Sequence, residues 1–189
     1  CYEGDLWHRF TREHNHTLYN VDKIIIPMTA RDTIATFIND KGLYMDNANV
    51  WFITVKGASA DLMKAITCII NSTIFTVLGK SGANPQSGGY YKFNKQFLMP
   101  IPFPIAAVTE KADCVAKLAK YYSEIFELQE QFLSATFNTK EIIAGQLRQL
   151  WTELDDICYS LYKVTDHEKQ QIINIGRTVS RIDLLNGVK

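Results

Sequence analysis

At 189 residues the chain can hold one sizeable core, or a compact domain with a helical appendage. A hydrophobic share of 47% and an aromatic share of 12% are those of an ordinary folded protein and exclude a disordered composition, and no apolar run approaches the roughly 20 residues of a membrane span. Twenty basic and twenty acidic residues cancel, so gross charge selects no class of partner and only its distribution informs.

That distribution is uneven. Through Ile105 there are ten Lys/Arg against eight Asp/Glu, and from Ala106 onward ten against twelve, so the first part is mildly basic and the second mildly acidic. The cysteines Cys1, Cys68, Cys114 and Cys158 are scattered, three of them within apolar helical patterns where a thiol acts as a small buried hydrophobe. With no secretory h-region, the expected setting is reducing and cytoplasmic. A first residue of Cys1 in place of Met makes the chain an expected piece of something longer.

In chain order, residues 1–20 mix aromatics with charge in short alternations that suit strand or edge structure. The run DKIIIP at 22–27 is a β-branched buried strand closed by proline, and a second extended piece follows at 33–38. Lys41-Gly42 marks a turn, and 43–55 (LYMDNANVWFITV) reads as two short strands around Asp46-Asn47-Ala48-Asn49. Ser59 can cap a helix whose apolar positions Leu62, Ile66, Ile69, Ile70, Thr73 and Val77 run on until Gly79 ends it. The loop KSGANPQSGG at 80–89 is too rich in Gly, Ser, Asn and Pro for helix or strand, residues 90–93 return to the sheet, and 99–104 with three prolines is extended and rigid.

From Thr109 the pattern is helical. Val115, Leu118, Tyr122, Ile125 and Phe132 form one apolar seam widened by Ala119 and Phe126; after a break near Asn138, Ile143, Leu147, Leu150, Leu154, Ile157 and Leu161 form another. Two such helices on a short connection are expected to fold back as an antiparallel hairpin. Thr165 and Glu168 make a capping box for a third helix ending near Gly176, and the tail beyond Arg177 gives no clear signal. The expected fold class is α/β (α+β): a small mixed-sheet domain with a packed helix over 1–105, then a helical hairpin and short C-terminal helix over 106–189.

The chemistry-bearing window is 62–104. No acidic residue lies between Asp61 and Glu110, while Lys64, Lys80, Lys92 and Lys95 and the pair Tyr90-Tyr91 do, the side-chain types of a surface that meets phosphate. Gly79-Lys80-Ser81 has the end of a phosphate-binding P-loop but lacks the earlier glycine, where Ile74 stands, and the preceding strand. His14 and His16 could share one strand face as a metal pair, with no further ligand cluster evident. No Asp or Glu has Lys two positions on, as restriction-type nucleases require, and Asn84-Pro85-Gln86 lacks the second proline and the aromatic of a base-holding methyltransferase element. No catalytic machinery is visible, so no enzyme activity is expected of this part.

Several stretches resemble the C-terminal target-recognition region of TaqI-like and Type IIG restriction-modification enzymes. Lys23-Ile24-Ile25-Ile26-Pro27 is similar to that family's early strand, and Gly42-Leu43-Tyr44 with Asn49-Val50-Trp51-Phe52-Ile53 to its central hairpin. Ile69-Ile70-Asn71-Ser72 resembles its leucine-asparagine-serine element, with isoleucine for leucine, and Leu98-Met99-Pro100-Ile101-Pro102-Phe103 its exit from the recognition domain. Leu154-Asp155-Asp156-Ile157, Leu161-Tyr162 and Val164-Thr165 through Glu168 resemble the closing helices, where glycine usually stands at the position of Lys163. The resemblance covers most of 22–175.

It implies that a missing N-terminal part methylates adenine, and in some members cuts, using S-adenosylmethionine and Mg, while this part holds no cofactor and chooses the double-stranded DNA sequence. The implied partners are DNA and the N-terminal methyltransferase/endonuclease domains of the same polypeptide, with no membrane. The resemblance points to the 80–91 loop and the turns near Arg31 and 41–49 as groove-inserting pieces. Ser81, Asn84, Gln86 and Tyr90 are then the expected base contacts, since amides can pair bidentately with adenine, and Arg31, Lys41, Lys80, Lys92 and Lys95 the backbone contacts. The alternative is a helical protein-interaction module with no DNA contact.

Overall fold

The computed structural model describes residues 20–39 and 49–187. The expected N-terminal strand, His8, His14, His16, Lys41 and the Asp46-Asn47-Ala48 turn lie outside them.

The β-branched run forms β1 (Lys23–Pro27), and its four residues from Lys23 to Ile26 are all buried, as befits a central strand covered on both faces. It pairs antiparallel with β3 (Thr36–Ile38) and β4 (Val50–Ile53), giving the order β3-β1-β4. A second antiparallel sheet, in the order β2-β6-β5, joins β2 (Thr29–Ala30), β5 (Asn84–Pro85) and β6 (Tyr91–Lys92). The α+β class holds; where one mixed sheet was expected, the described residues form two small antiparallel ones.

The apolar helix is two helices. Ser59 caps α1 (Ala60–Ile70) by accepting from Leu62 N, and Ser72 caps α2 (Thr73–Gly82) by accepting from Phe75 N, with a bend of 64° between them. Asn71 fixes the bend: its Oδ1 accepts from Ala35 N at 2.7 Å and its Nδ2 donates to Ala35 O at 2.8 Å. Gly79 therefore does not end a helix. It is buried within α2, where an added Cβ would lie 3.1 Å from Thr33 Cγ2 and 3.4 Å from Phe93, so its lack of a side chain lets α2 approach.

A 3₁₀ turn at Ser87–Gly89 precedes β6, and the 99–104 segment expected to be extended lies between α3 (Lys95–Leu98) and α4 (Ile105–Thr109), opening on a turn in which Ile101 N donates to Leu98 O. The long helices α5 (Ala112–Ser134) and α6 (Phe137–Tyr162) follow, joined through Ala135 and Thr136. Tyr121 reaches Glu153 and Lys140 covers the Phe132 ring, so the two run antiparallel as expected. Phe126, read as part of the seam, is 46% exposed; it stacks on Tyr122, whose hydroxyl donates to Phe37 O and accepts from Phe37 N. The capping box of Thr165 and Glu168 opens α7 (Asp166–Ile175), and α8 (Arg181–Leu185) closes the described chain.

One buried cluster runs from Ile24 and Ile26 through Met63, Ile66 and Ile69 of α1 to Leu118, Ile125, Leu147 and Leu154 of the hairpin. The change of character at Ile105/Ala106 thus divides secondary structure and not cores: α1 lies between the first sheet and α5 and belongs to both parts. No single described helix is long and apolar enough to cross a membrane.

Candidate nucleic-acid interface

The second sheet rests on its own small core. Phe93, fully buried, packs with Ala30, Ala83, Tyr91 and Leu98. Strand alternation then sorts the neighbours: Tyr91 stacks on Phe93 with ring centroids 6.2 Å apart and faces inward, so Lys92 points out. In register, Lys92 stands between Thr29 on β2 and Asn84 on β5, and all three are exposed. Residues directly opposite across a sheet share a face, so Thr29, Lys92 and Asn84 form one outward row of hydrogen-bonding groups.

Beyond the row the ribbon closes through Gln86 N, which donates to Tyr90 O at 2.7 Å, and Gly88 and Gly89 take φ of 71° and 76°. Side chains other than glycine rarely accept that conformation, so the closing turn depends on the Gly-Gly pair. Gln86 is exposed, its Nε2 donating to Pro85 O. Tyr90 is 38% exposed, and the Arg31 guanidinium lies 5.1 Å from its ring centroid. Lys95 is exposed on α3.

Four of the expected contacts, Asn84, Gln86, Tyr90 and Lys92, therefore come together on one ribbon with Arg31 behind it. Two others are placed differently. Ser81 lies on the last turn of α2, its hydroxyl donating to Leu78 O, at the edge of an open groove of about 320 Å³ that includes Phe97 and Ile101. Lys80, expected to meet phosphate, is turned into the protein: its Nζ pairs with Asp32, donates to Thr178 Oγ1 at 2.6 Å and lies 5.6 Å from the Tyr91 ring centroid. With its charge offset by a carboxylate, Lys80 is withdrawn from the backbone contacts.

Asp32 is 1% exposed and also accepts from Thr178 N and Val179 N. Burial works to raise its carboxyl, but Lys80, the two backbone N–H groups and Arg177 outweigh it and hold the group below its ordinary value. The acid nearest β2 in sequence thus presents little free negative charge. Among the described residues, no group of three or more His, Cys, Asp or Glu could hold a metal ion.

The sequence reading missed Thr29 and the two arginines of the tail. Thr29 enters through pairing with β6, far along the chain, which no local pattern announces. Arg177 donates to Asn71 O, Thr76 Oγ1 and Thr33 O, and burial lowers its guanidinium to about 10. Arg181 grips Asp155 with both terminal nitrogens at 3.0 Å. No protein-family model matches the sequence, and no curated protein matches it.

Proposed function

We propose that this chain is the sequence-reading part of a Type IIG restriction-modification enzyme, binding double-stranded DNA while a separate N-terminal part carries the methyltransferase and endonuclease chemistry. One observation carries the reading: the outward row of Thr29, Lys92 and Asn84 across β2, β6 and β5 continues, along the two-stranded β5–β6 ribbon, into the exposed Gln86 and Tyr90. The major groove admits a two-stranded ribbon, amide side chains pair with adenine edges there, and cations on the same element meet phosphate. Arg31, Lys92 and Lys95 supply those cations, and the acid-free stretch from Leu62 to Thr109 keeps like charge away from DNA in the sequence around Lys92 and Lys95.

Lys163 adds support for the resemblance. It takes a left-handed backbone (φ 55°, ψ 36°) at the end of α6, where the similar family usually carries glycine, the residue that adopts this conformation without strain. In this reading S-adenosylmethionine and Mg²⁺ serve the N-terminal part, and no catalytic step is assigned to this chain.

A duplex-binding measurement across salt concentrations tests the reading. Fluorescence anisotropy with a labelled duplex pool should show binding that weakens linearly in log salt, because phosphate contacts release counterions. Binding that is absent at low salt, or indifferent to salt, contradicts it.

A second reading is favoured by the tip of the helical hairpin. Leu133, Phe137 and Ile142 are 59%, 79% and 67% exposed there, which suits a protein contact more than a nucleic-acid one. Retained DNA binding in a Phe137→Ser, Ile142→Ser variant would separate the two surfaces.

A further inference from the structure

We infer that the C-terminal residues 177–179 are a positioning element for the reading ribbon, acting on it through Asp32 and Lys80. Two routes lead from this segment to the ribbon. The first runs along the 30–32 backbone: Thr178 N and Val179 N donate to the Asp32 carboxylate at 3.0 and 2.9 Å, and Asp32 follows Ala30 and Arg31, of which Ala30 pairs with Tyr91 and Arg31 backs Tyr90. The second runs through Lys80, whose ammonium holds Asp32 and Thr178 Oγ1 together and packs beside the Tyr91 ring.

The segment is itself anchored. Arg177 reaches Asn71 O, Thr76 Oγ1 and Thr33 O, and Arg181 reaches Asp155 and Asn71 O, so both arginines end at the bend between α1 and α2. β5 and β6 contribute two residues each, too few for a ribbon to hold its own orientation. A buried charge network tied to the main core supplies the missing constraint, and it does so from the end of the chain farthest in sequence from β2. The inference deepens the DNA-reading proposal and rests on it for its purpose, while the coupling itself can be measured without DNA.

Residue-resolved hydrogen exchange on the intact chain is the test. In Lys80→Met, the Gln86 amide that donates to Tyr90 O and the Phe93 amide that donates to Met28 O should exchange about tenfold faster, while Leu118 and Leu147 keep their protection. Lys80→Arg, which keeps a cation for Asp32, should restore slow exchange. Should Lys80→Met fail to fold, Thr178→Val, which removes only the hydroxyl acceptor, carries the test with a change in the same direction. Unchanged exchange at Gln86 and Phe93 overturns the inference. So does uniform acceleration that includes Leu118 and Leu147, because the contact would then hold up the whole fold and not the ribbon in particular.

A DNA arm tells the two proposals apart. With a duplex selected by the wild type and its scrambled counterpart, Lys80→Met should narrow the affinity ratio between them; an unchanged ratio overturns the inference alone. Wild-type protein that binds no duplex overturns the reading of function, and with it the purpose given to the coupling.

Discussion

Arg181→Met tests how the C-terminal segment is held. In the native chain the guanidinium makes a bidentate pair with Asp155 at 3.0 Å, donates to Asn71 O at 2.9 Å and lies 4.2 Å from the Trp151 ring centroid. Both side chains of the pair are 13% exposed, so solvent screens the interaction weakly and the lost partner leaves Asp155 nearly buried. Breaking such a pair from one side costs about 3–5 kcal/mol, more than the pair itself contributes, because the remaining charge is stranded. Asp155 keeps two other donors, Thr73 N and Thr73 Oγ1, each at 2.8 Å, which places the expected loss at the lower end of that range. For a chain of this size the lower end corresponds to a melting temperature lower by about 6–12 °C. Chemical denaturation should show a reduced midpoint with an unchanged slope, and Asp155→Asn in the Arg181→Met background should recover part of the loss. A loss below about 1 kcal/mol, the size of an exposed surface pair, would refute the reasoning.

Three further outcomes follow from the same geometry. Phe93→Ala empties the small core under the second sheet and should cost about 3–5 kcal/mol, with duplex binding lost before the helical hairpin melts; a cost under about 1 kcal/mol would mean the sheet stands without it. Asp32 has a folded value held below 3.8, so its stabilisation is present above that pH and disappears as pH falls through the folded value; the stability gap between wild type and Asp32→Asn, measured by denaturation midpoint, should be open at neutral pH and narrow in acid. Lys92→Ala should weaken binding to all duplexes alike and make the slope of log affinity against log salt shallower by about one unit, whereas an unchanged slope would place Lys92 off the phosphates.

The elements legible in the sequence were those with local causes. DKIIIP announced β1 because a β-branched run covered on both faces needs no partner to be recognised, and Thr165 with Glu168 announced α7 because both halves of a capping box lie within one turn. The bend at Asn71-Ser72 was hidden since apolar spacing continues across it, although Ser72 two residues past Ile70 is itself an N-cap signal. The second sheet could not be read, because strands of two residues have no period and exist only through pairing between distant segments. Lys80 was misplaced for a related reason: in an acid-free window it looks free, and its counterion Asp32 comes from far upstream. Asn84, Gln86 and Tyr90 were expected on one loop from the resemblance, with Lys92 just past its end, but only the strand register shows that Asn84 and Lys92 share a face.

The most direct measurement is selection from a random duplex pool by the intact chain, repeated with Asn84→Ala and with Gln86→Ala. The account expects the wild type to enrich a defined sequence, and each variant to relax preference at one base pair by roughly 1–3 kcal/mol while leaving the other positions as they were. Enrichment of the same sequence by all three proteins, or of none by the wild type, would contradict the claim that this ribbon reads DNA.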